Sequence, residues 1–383
     1  MQNFSFNNPT RILFGRGQIA ALANEIPAAS RILLCYGGGS IRRNGTYEQL
    51  QEALTGHRLI EFGGIGSNPE YRTLLEAVGV VRDERIDFIL AVGGGSVIDG
   101  AKFIAAASLA DGDPWQLIAA KRPVKAAIPV GVVLTLPATG SESNPVAIIS
   151  RAETGEKRGL SSPLLYPRFA VLDPQLTFSL PPQQLSLGVV DAFVHVIEQY
   201  LTYPVEAPLQ DRLAESILVT LREIGPRLLE HEPCYQDRAT LMWAANLALN
   251  GLIGCGVPQD WSSHVIGHQL TSLYGIAHAQ TLAVLLPAVL KQQREPKRSK
   301  LVQYGRRVWN LDGSDEQVCQ AAIDCTEAFF VQMHLAIRLG ELGLDASKCE
   351  PVIELLARNR LTPLGEHHDM DLEQCRRVLQ LSL

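Results

Sequence analysis

The chain has 383 residues and a net charge of −6, with 46% hydrophobic and 19% charged residues. That length suggests two or three domains of about 150 residues each, and the high apolar and low charged fractions exclude extensive disorder. The acidic balance and the lack of a long basic run exclude the electrostatic footprint of a nucleic-acid binder.

The opening MQNFSFNNPTRILFG has no charged segment leading into an apolar run, so a secretory signal is not expected. From there to about residue 180, compact apolar runs end at Gly, Ser, Thr or Asp. Arg31–Tyr36 runs into Gly37-Gly38-Gly39-Ser40, and Asp87–Val92 into Gly93-Gly94-Gly95-Ser96. Ala127–Thr135 runs into PATGS, and Phe169–Asp173 is a fourth. Such runs, with helices as crossovers, predict an α/β domain over residues 1–180 built on a parallel sheet. Ligands of such sheets bind beyond the carboxyl ends of the strands, where these Gly-Ser-Thr clusters lie. The composition changes at Leu180-Pro181-Pro182. Helical periodicity follows, for example over 213–221, 239–249 and 317–335, and predicts an all-helical domain over 181–383. The stretch Lys291–Lys300, with five Lys or Arg and one Glu, reads as a solvated helix or turn. No run of 18 apolar residues exists, so no membrane span is expected. The seven cysteines are odd in number and none form a CxxC pair. This argues against a disulfide framework or thiolate zinc site and for a reducing cytoplasm.

Two patterns carry chemistry. Gly93-Gly94-Gly95-Ser96 follows a strand and opens a helix, so its backbone N–H groups suit a pyrophosphate. Position 98 is Ile, so this is not the G-x-G-x-x-G fingerprint, and a plain tight turn stays open. The second pattern is Asp191 and His195, four residues apart. On a helix they share one face about 6 Å apart along the axis, which suits two ligands of one ion. His264 and His268 repeat that spacing. His278 lies 14 residues beyond His264, about 21 Å away on a straight helix, unless Tyr274-Gly275 breaks the helix and folds it back. Single histidines in apolar segments usually pack, but buried imidazole and carboxylate groups need partners, and a shared cation supplies one. Three imidazoles and one carboxylate suit Zn²⁺ or Fe²⁺. The pattern alone does not choose among the five candidates.

The order D-A-x-x-H, H-x-x-x-H and a histidine ten residues on resembles the iron-containing (group III) alcohol dehydrogenases. The resemblance runs from Pro9 to the last ~20 residues. The segments TLPATGSESN (Thr135–Asn144), GVVDAFVH (Gly188–His195), NGLIG (Asn250–Gly254) and GVPQDW (Gly256–Trp261) are similar to the bacterial broad-range NADPH-dependent aldehyde reductases among them. The resemblance implies an α/β nucleotide-binding domain and an all-α metal-binding domain of the dehydroquinate synthase-like kind. It implies Asp191, His195, His264 and His278 as ligands of one divalent ion. His268 is then placed near the nicotinamide in proton transfer. Gly94, Gly95 and Ser96 hold the cofactor pyrophosphate, with Asp99, Thr135, Thr139 and Lys157 around its phosphates, ribose and nicotinamide side.

In NAD-preferring relatives an acidic residue ends the strand where this chain has Gly37, followed by Gly38, Gly39 and Ser40. With no carboxylate to repel a 2′-phosphate, and with Ser40 and Arg42 or Arg43 to bond it, NADP(H) is expected. The implied activity is reversible, metal-dependent reduction of small aldehydes to alcohols by a cytoplasmic homodimer. A glycerol-dehydrogenase-like or dehydroquinate-synthase-like enzyme is the alternative, and a non-catalytic metal or nucleotide sensor a remote third. Asn144 and Trp261 either line the pocket or pack. His367 and His368, being adjacent, face apart and read as surface or rim residues.

Overall fold

The computed structural model describes residues 1–230 and 232–383. Contacts divide the chain into two compact units. One comprises Asn7–Pro181 and Pro233–Asn246; the other comprises Met1–Phe6, Pro182–Glu232 and Leu247–Leu383.

The first unit is built on a six-stranded parallel sheet of β1 (Arg11–Phe14), β2 (Arg31–Tyr36), β3 (Arg58–Phe62), β4 (Phe88–Gly93), β5 (Val130–Leu134) and a last strand, Phe169–Leu172. Between β5 and that strand the chain makes an antiparallel hairpin of β6 (Val146–Arg151) and β7 (Glu156–Ser161), so the last sheet strand is β8. The spatial order is β1-β8-β5-β4-β2-β3. In the inner strands residues alternate between two apolar layers. Leu33, Cys35, Ile89, Ala91, Val130 and Val132 face α3 (Tyr71–Asp83) and α4 (Gly95–Ala107) in one layer. Ile32, Leu34, Phe88, Leu90, Val92 and Val133 face the other, with residues from α1 (Leu22–Glu25) and α2 (Thr46–Ala53). Both faces are therefore covered, which is why these strands read as unbroken apolar runs. Another helix, α5 (Gln116–Ala119), precedes β5.

The sheet holds two strands beyond the four expected. Both are edge strands, β1 and β3, whose partly exposed residues leave no compact apolar run to recognise. The predicted run from Ala127 begins as a strand only at Val130, directly after Pro129, which has no N–H for the ladder. From β2 the chain moves outward to β3 and then returns to the opposite side of β2 as β4. The carboxyl ends of β2 and β4 thus flank the point where the strand order reverses, which is where open α/β sheets bind their ligands.

The second unit contains α6 (Pro182–Tyr200), α7 (Pro208–Glu230), the end of α8 (Tyr235–Ala248), α9 (Ser262–Tyr274), α10 (His278–Gln292), α11 (Arg298–Val308), α12 (Asp315–Gln332), α13 (Cys349–Arg358) and α14 (Leu372–Leu381). No strand lies among its described residues, as expected for the helical domain. Every residue of α6 from Gly188 to Tyr200 is buried, so α6 is the central helix of this unit. The break between α9 and α10 falls at Gly275, whose φ of +68° caps α9 while its N–H donates to Thr271 O at 2.9 Å.

The basic stretch 291–300 is not the solvated segment its composition suggested. Lys297 is buried, donating to Leu201 O and Glu366 at 2.7 Å and pairing with Asp260 at 3.0 Å. Lys300 is buried against Asp211 at 2.6 Å. Carboxylates distant in sequence turn these lysines inward, and local charge counting does not see them.

Two segments group with the unit that a division at 180/181 does not give them. Met242, on α8, joins the apolar layer of α3 and α4. Arg238 donates to Thr177 O at 3.2 Å, and Trp243 packs edge-on against Phe14. At the N-terminus, Gln2 N donates to Gly256 O at 2.9 Å.

The first unit also buries a lysine completely. Lys102 Nζ, on α4, donates to Ser141 Oγ (2.8 Å), Asn144 Oδ1 (3.2 Å) and Val146 O (2.8 Å). Its three hydrogens are thereby used. Burial pushes its pKa down to about 8, against the pull of Asp99 and Glu142. The lysine ties α4 to the 139–146 loop, and Asn144 is part of this brace. Lys102→Met strands three acceptors and two neighbouring acids, so a loss of about 3–5 kcal/mol in unfolding free energy at neutral pH is expected in a denaturant titration.

Candidate metal centre and nucleotide site

In the second unit, α6 carries Asp191 and His195 on one buried face, and α9 and α10 bring up the histidines. Asp191, His195 and His264 place ligand atoms within 4.8 Å of one another. His278, first residue of α10, joins through Asp191, with Nε2 3.8 Å from Oδ1. His195 Nε2 stands 3.9 Å from the same oxygen. These separations are too long for hydrogen bonds. They lie within about half an ångström of the ~3.4 Å between two ligand atoms of a tetrahedral ion with 2.0–2.2 Å bonds. The donor set is also chemically suited. Burial lowers the His195 pKa to about 4, with His264 adding to the effect and Asp191 opposing it. At neutral pH the ring is therefore uncharged and has a lone pair to offer a cation. The residues present fit one divalent ion.

Trp261 closes one side of the cluster, its ring 5.3 Å from that of His264 and 6.2 Å from that of His195. His268 lies one turn beyond His264 on α9. Its ring is 5.1 Å from that of His278 and 6.3 Å from that of His264. It is outside the three-residue cluster and less buried than His264. His367 and His368 are exposed, His367 stacking on Tyr203 at 4.7 Å.

Sequence reasoning passed over Glu198. It is buried on α6 and accepts from the N–H groups of Ser263 (2.8 Å) and His264 (3.4 Å) and meets His264 Nδ1. Burial, with help from Asp260, pushes its pKa up, while the Ser263 and His264 donors oppose the rise. The available signal was its place seven residues after Asp191, which puts it on the ligand face of the same helix.

In the first unit the glycine-rich turn follows β4 and opens α4, as its position in sequence predicted. Gly95 has no alternative here, since a Cβ would fall 2.4 Å from Thr139 Oγ1. The turn and the 135–141 loop are thus in direct contact. Thr135 N donates to Gly93 O at 3.0 Å. Asp99 binds Ser141 Oγ (2.5 Å) and Ile148 N (2.9 Å), so both its oxygens brace α4 against this loop and β6. Lys157, on β7, is buried rather than a surface charge, with Nζ 2.9 Å from Asn68 Oδ1. Asn68 N in turn donates to Ser96 Oγ at 3.3 Å. Asn68, with φ of +58°, links Lys157 to the glycine turn and was not anticipated.

At the end of β2, Gly37–Ser40 form the second turn, with Gly39 at φ +80°. One expectation is corrected here. A carboxylate does lie close by: Glu61, from β3, binds Arg42 and accepts from Tyr36 Oη at 3.0 Å and from Tyr47 Oη. Reading along β2 alone could not find it, because strand pairing brings it in. The Arg42 guanidinium also lies 4.1 Å over the Tyr47 ring.

The iron-containing alcohol dehydrogenase model matches residues 9–174, and the C-terminal model of the Fe-containing alcohol dehydrogenase family matches 186–381. The chain belongs to the iron-containing alcohol dehydrogenase family. Members of this family combine a nicotinamide cofactor with iron or another divalent metal. Among relatives, the NADPH-dependent aldehyde reductase YqhD of Escherichia coli is 52% identical over 384 residues, 99% of each chain. NADH-dependent butanol dehydrogenase A of Clostridium acetobutylicum is 35% identical over the full length of both. The crystal structure of E. coli YqhD superposes with a TM-score of 0.98 at 51% identity, covering 100% of this chain and 99% of that one. The NADH-dependent butanol dehydrogenase A structure from Thermotoga maritima gives 0.96 at 34% identity, covering 100% and 99%.

In this iron-containing alcohol dehydrogenase, dialysis against a chelator followed by one equivalent of Zn²⁺ or Fe²⁺ is expected to restore stoichiometric metal in the native chain. Asp191→Asn, His195→Ala, His264→Ala and His278→Ala are each expected to fail to retain it by elemental analysis. Full retention by two of these variants contradicts a shared site.

Proposed function

We propose that the protein is an NADPH-dependent aldehyde reductase, reversible as an alcohol dehydrogenase, that holds one Zn²⁺ or Fe²⁺ through Asp191, His195, His264 and His278. The observation that carries this reading is the meeting of one helix-borne carboxylate with imidazoles from three helices, in a chain 52% identical over 99% of its length to an NADPH-dependent aldehyde reductase. When bound, the ion supplies a Lewis acid for the carbonyl oxygen and the reduced nicotinamide supplies the hydride.

The chain's own residues do the rest. One carboxylate and three neutral imidazoles leave a divalent site with a single net positive charge, which favours negative charge developing on the substrate oxygen. The apolar, buried surroundings of α6 and α9 keep water from screening that charge. His268, beside His278 but outside the ligand cluster, is the proton donor in this reading, since an imidazole titrates near neutral pH. Gly94, Gly95 and Ser96 receive the pyrophosphate at the start of α4, and Asp99, Thr135, Thr139 and Lys157 hold the surrounding loop and turn in place.

Preference for NADPH rests on Gly37–Ser40 and Arg42. The Arg42–Glu61 pair is no obstacle, because both side chains are partly exposed, at 45% and 30%. Solvent screens such an exposed pair, while a dianionic 2′-phosphate offers the guanidinium two negative charges and a bidentate partner. The 2′-phosphate outcompetes Glu61 for the guanidinium. We also propose a cytoplasmic homodimer. The cytoplasmic assignment is supported by cysteines that are all free thiols, and light scattering on the purified protein tests the dimer.

Small aldehydes, not glycerol, are expected to be turned over, with kcat/KM for NADPH well above that for NADH. Arg42→Ala is expected to raise KM for NADPH about ten- to a hundredfold and leave NADH little changed. Equal kcat/KM for the two cofactors in the native enzyme rejects the preference. His268→Asn is expected to lower kcat about 10²- to 10⁴-fold while metal content stays stoichiometric; unchanged kcat removes His268 from the proton path.

A further inference from the structure

Glu198 is a buried acid that metal ligation does not itself use. Its side chain is 4% exposed. Oε1 accepts from the backbone N–H groups of Ser263 and His264 in the first turn of α9, and Oε2 meets His264 Nδ1. Ionised, as beside a bound cation, Glu198 only accepts hydrogen bonds, and this contact then puts the His264 ring proton on Nδ1 and leaves the lone pair on Nε2. The backbone around it is fixed as well. Glu198 O accepts from Asp260 N at 2.8 Å, and Asp260 Oδ1 accepts from Ser262 N at 2.9 Å. The other oxygen of Asp260 pairs with buried Lys297 at 3.0 Å. The start of α9 is therefore clamped against α6, and His264 stands on the clamp.

We infer that Glu198 is a positioning residue of the metal site, holding His264 in the Nδ1–H tautomer so that Nε2 is the atom offered to the ion. The inference rests on the reading of His264 as a ligand. A carboxylate behind a ligating histidine fixes its tautomer and ring orientation and raises its basicity, and loss of such a partner costs about 10- to 100-fold in metal affinity. His195 provides a contrast within the same site, since its Nδ1 is buried with no hydrogen-bond partner. Of these two rings, only His264 has its tautomer set by an anion.

A purely structural role, capping α9, predicts something different, and Glu198→Gln separates the two. Glutamine keeps one acceptor oxygen. If that oxygen caps Ser263, the amide NH₂ faces Nδ1 and drives the ring proton to Nε2, which then cannot bind a cation. If the amide turns over to receive Nδ1–H, its NH₂ opposes the Ser263 N–H and the cap is lost.

The test uses the full-length protein with Zn²⁺ as probe, in competition with a chromophoric chelator. Glu198→Gln is expected to weaken Zn²⁺ binding about 10- to 100-fold, while the melting temperature of the metal-free protein stays within about 5 °C. Ring ¹⁵N shifts are expected to show His264 as Nδ1–H in the Zn²⁺-loaded native chain and Nε2–H in the metal-free variant. Zn²⁺ affinity within twofold of native in Glu198→Gln overturns the inference, as does an Nε2–H ring in the Zn²⁺-loaded native protein. The native ring measurement decides the matter even if the variant is poorly folded. His264→Ala run in parallel tells the two readings apart. Zn²⁺ retained in His264→Ala refutes the ligand assignment. Zn²⁺ lost there but kept in Glu198→Gln refutes only the role of Glu198.

Discussion

Two acids seven residues apart lie buried on the central helix α6, and the second unit is organised around the cost of keeping them there. Taking a carboxylate out of water costs several kcal/mol unless opposite charge or directed donors replace the lost hydration. The imidazoles of His195 and His278 stand too far from Asp191 to hydrogen-bond it, so the opposite charge this acid calls for is that of the cation proposed to sit among them. Glu198 meets the requirement with the amide groups that open α9 and with the Nδ1 of His264. His264 thus has both acids for neighbours. The Gly275 break follows from the same requirement, because without it α9 would carry the chain away from Asp191.

The first unit solves a different problem, presenting glycine turns from a rigid base. Its inner strands are buried on both faces, so their carboxyl ends hold the turns at fixed spacing. The turn at Gly93–Ser96 is close-packed rather than loose, with Thr139 filling the space a side chain at 95 would need. Beneath it the buried lysine on α4 and the carboxylate of Asp99 hold the 139–148 segment. The polar groups around the turn thus include structural ones whose effect on a bound nucleotide is indirect.

Much of this was legible in the sequence, for identifiable reasons. The inner strands announce themselves because burial on both faces demands uninterrupted apolar residues. Asp191 and His195 announce themselves because helical periodicity converts a spacing of four into proximity. Long-range pairing was not legible. Glu61 reaches Arg42 only because β3 lies beside β2, and Lys297 is buried only because Asp260 and Glu366 meet it. The edge strands β1 and β3 were missed because half-exposed strands lack a distinctive pattern. Glu198 sat within a segment already under scrutiny; what hid it was that its partner, the start of α9, is more than sixty residues away in the chain.

The interleaving of the two units bears on how the chain is made. The sheet unit has all its strands once Leu172 has been synthesised, yet Met242 and Trp243, which belong to it, come only after α6 and α7. At translation rates of about 5–20 residues per second, the nascent sheet waits several seconds with part of its apolar surface uncovered. The N-terminal hexapeptide waits in turn for the segment around Gly256. A cut at the Pro181-Pro182 boundary therefore does not yield two free-standing modules, because each half lacks a piece that only the other supplies.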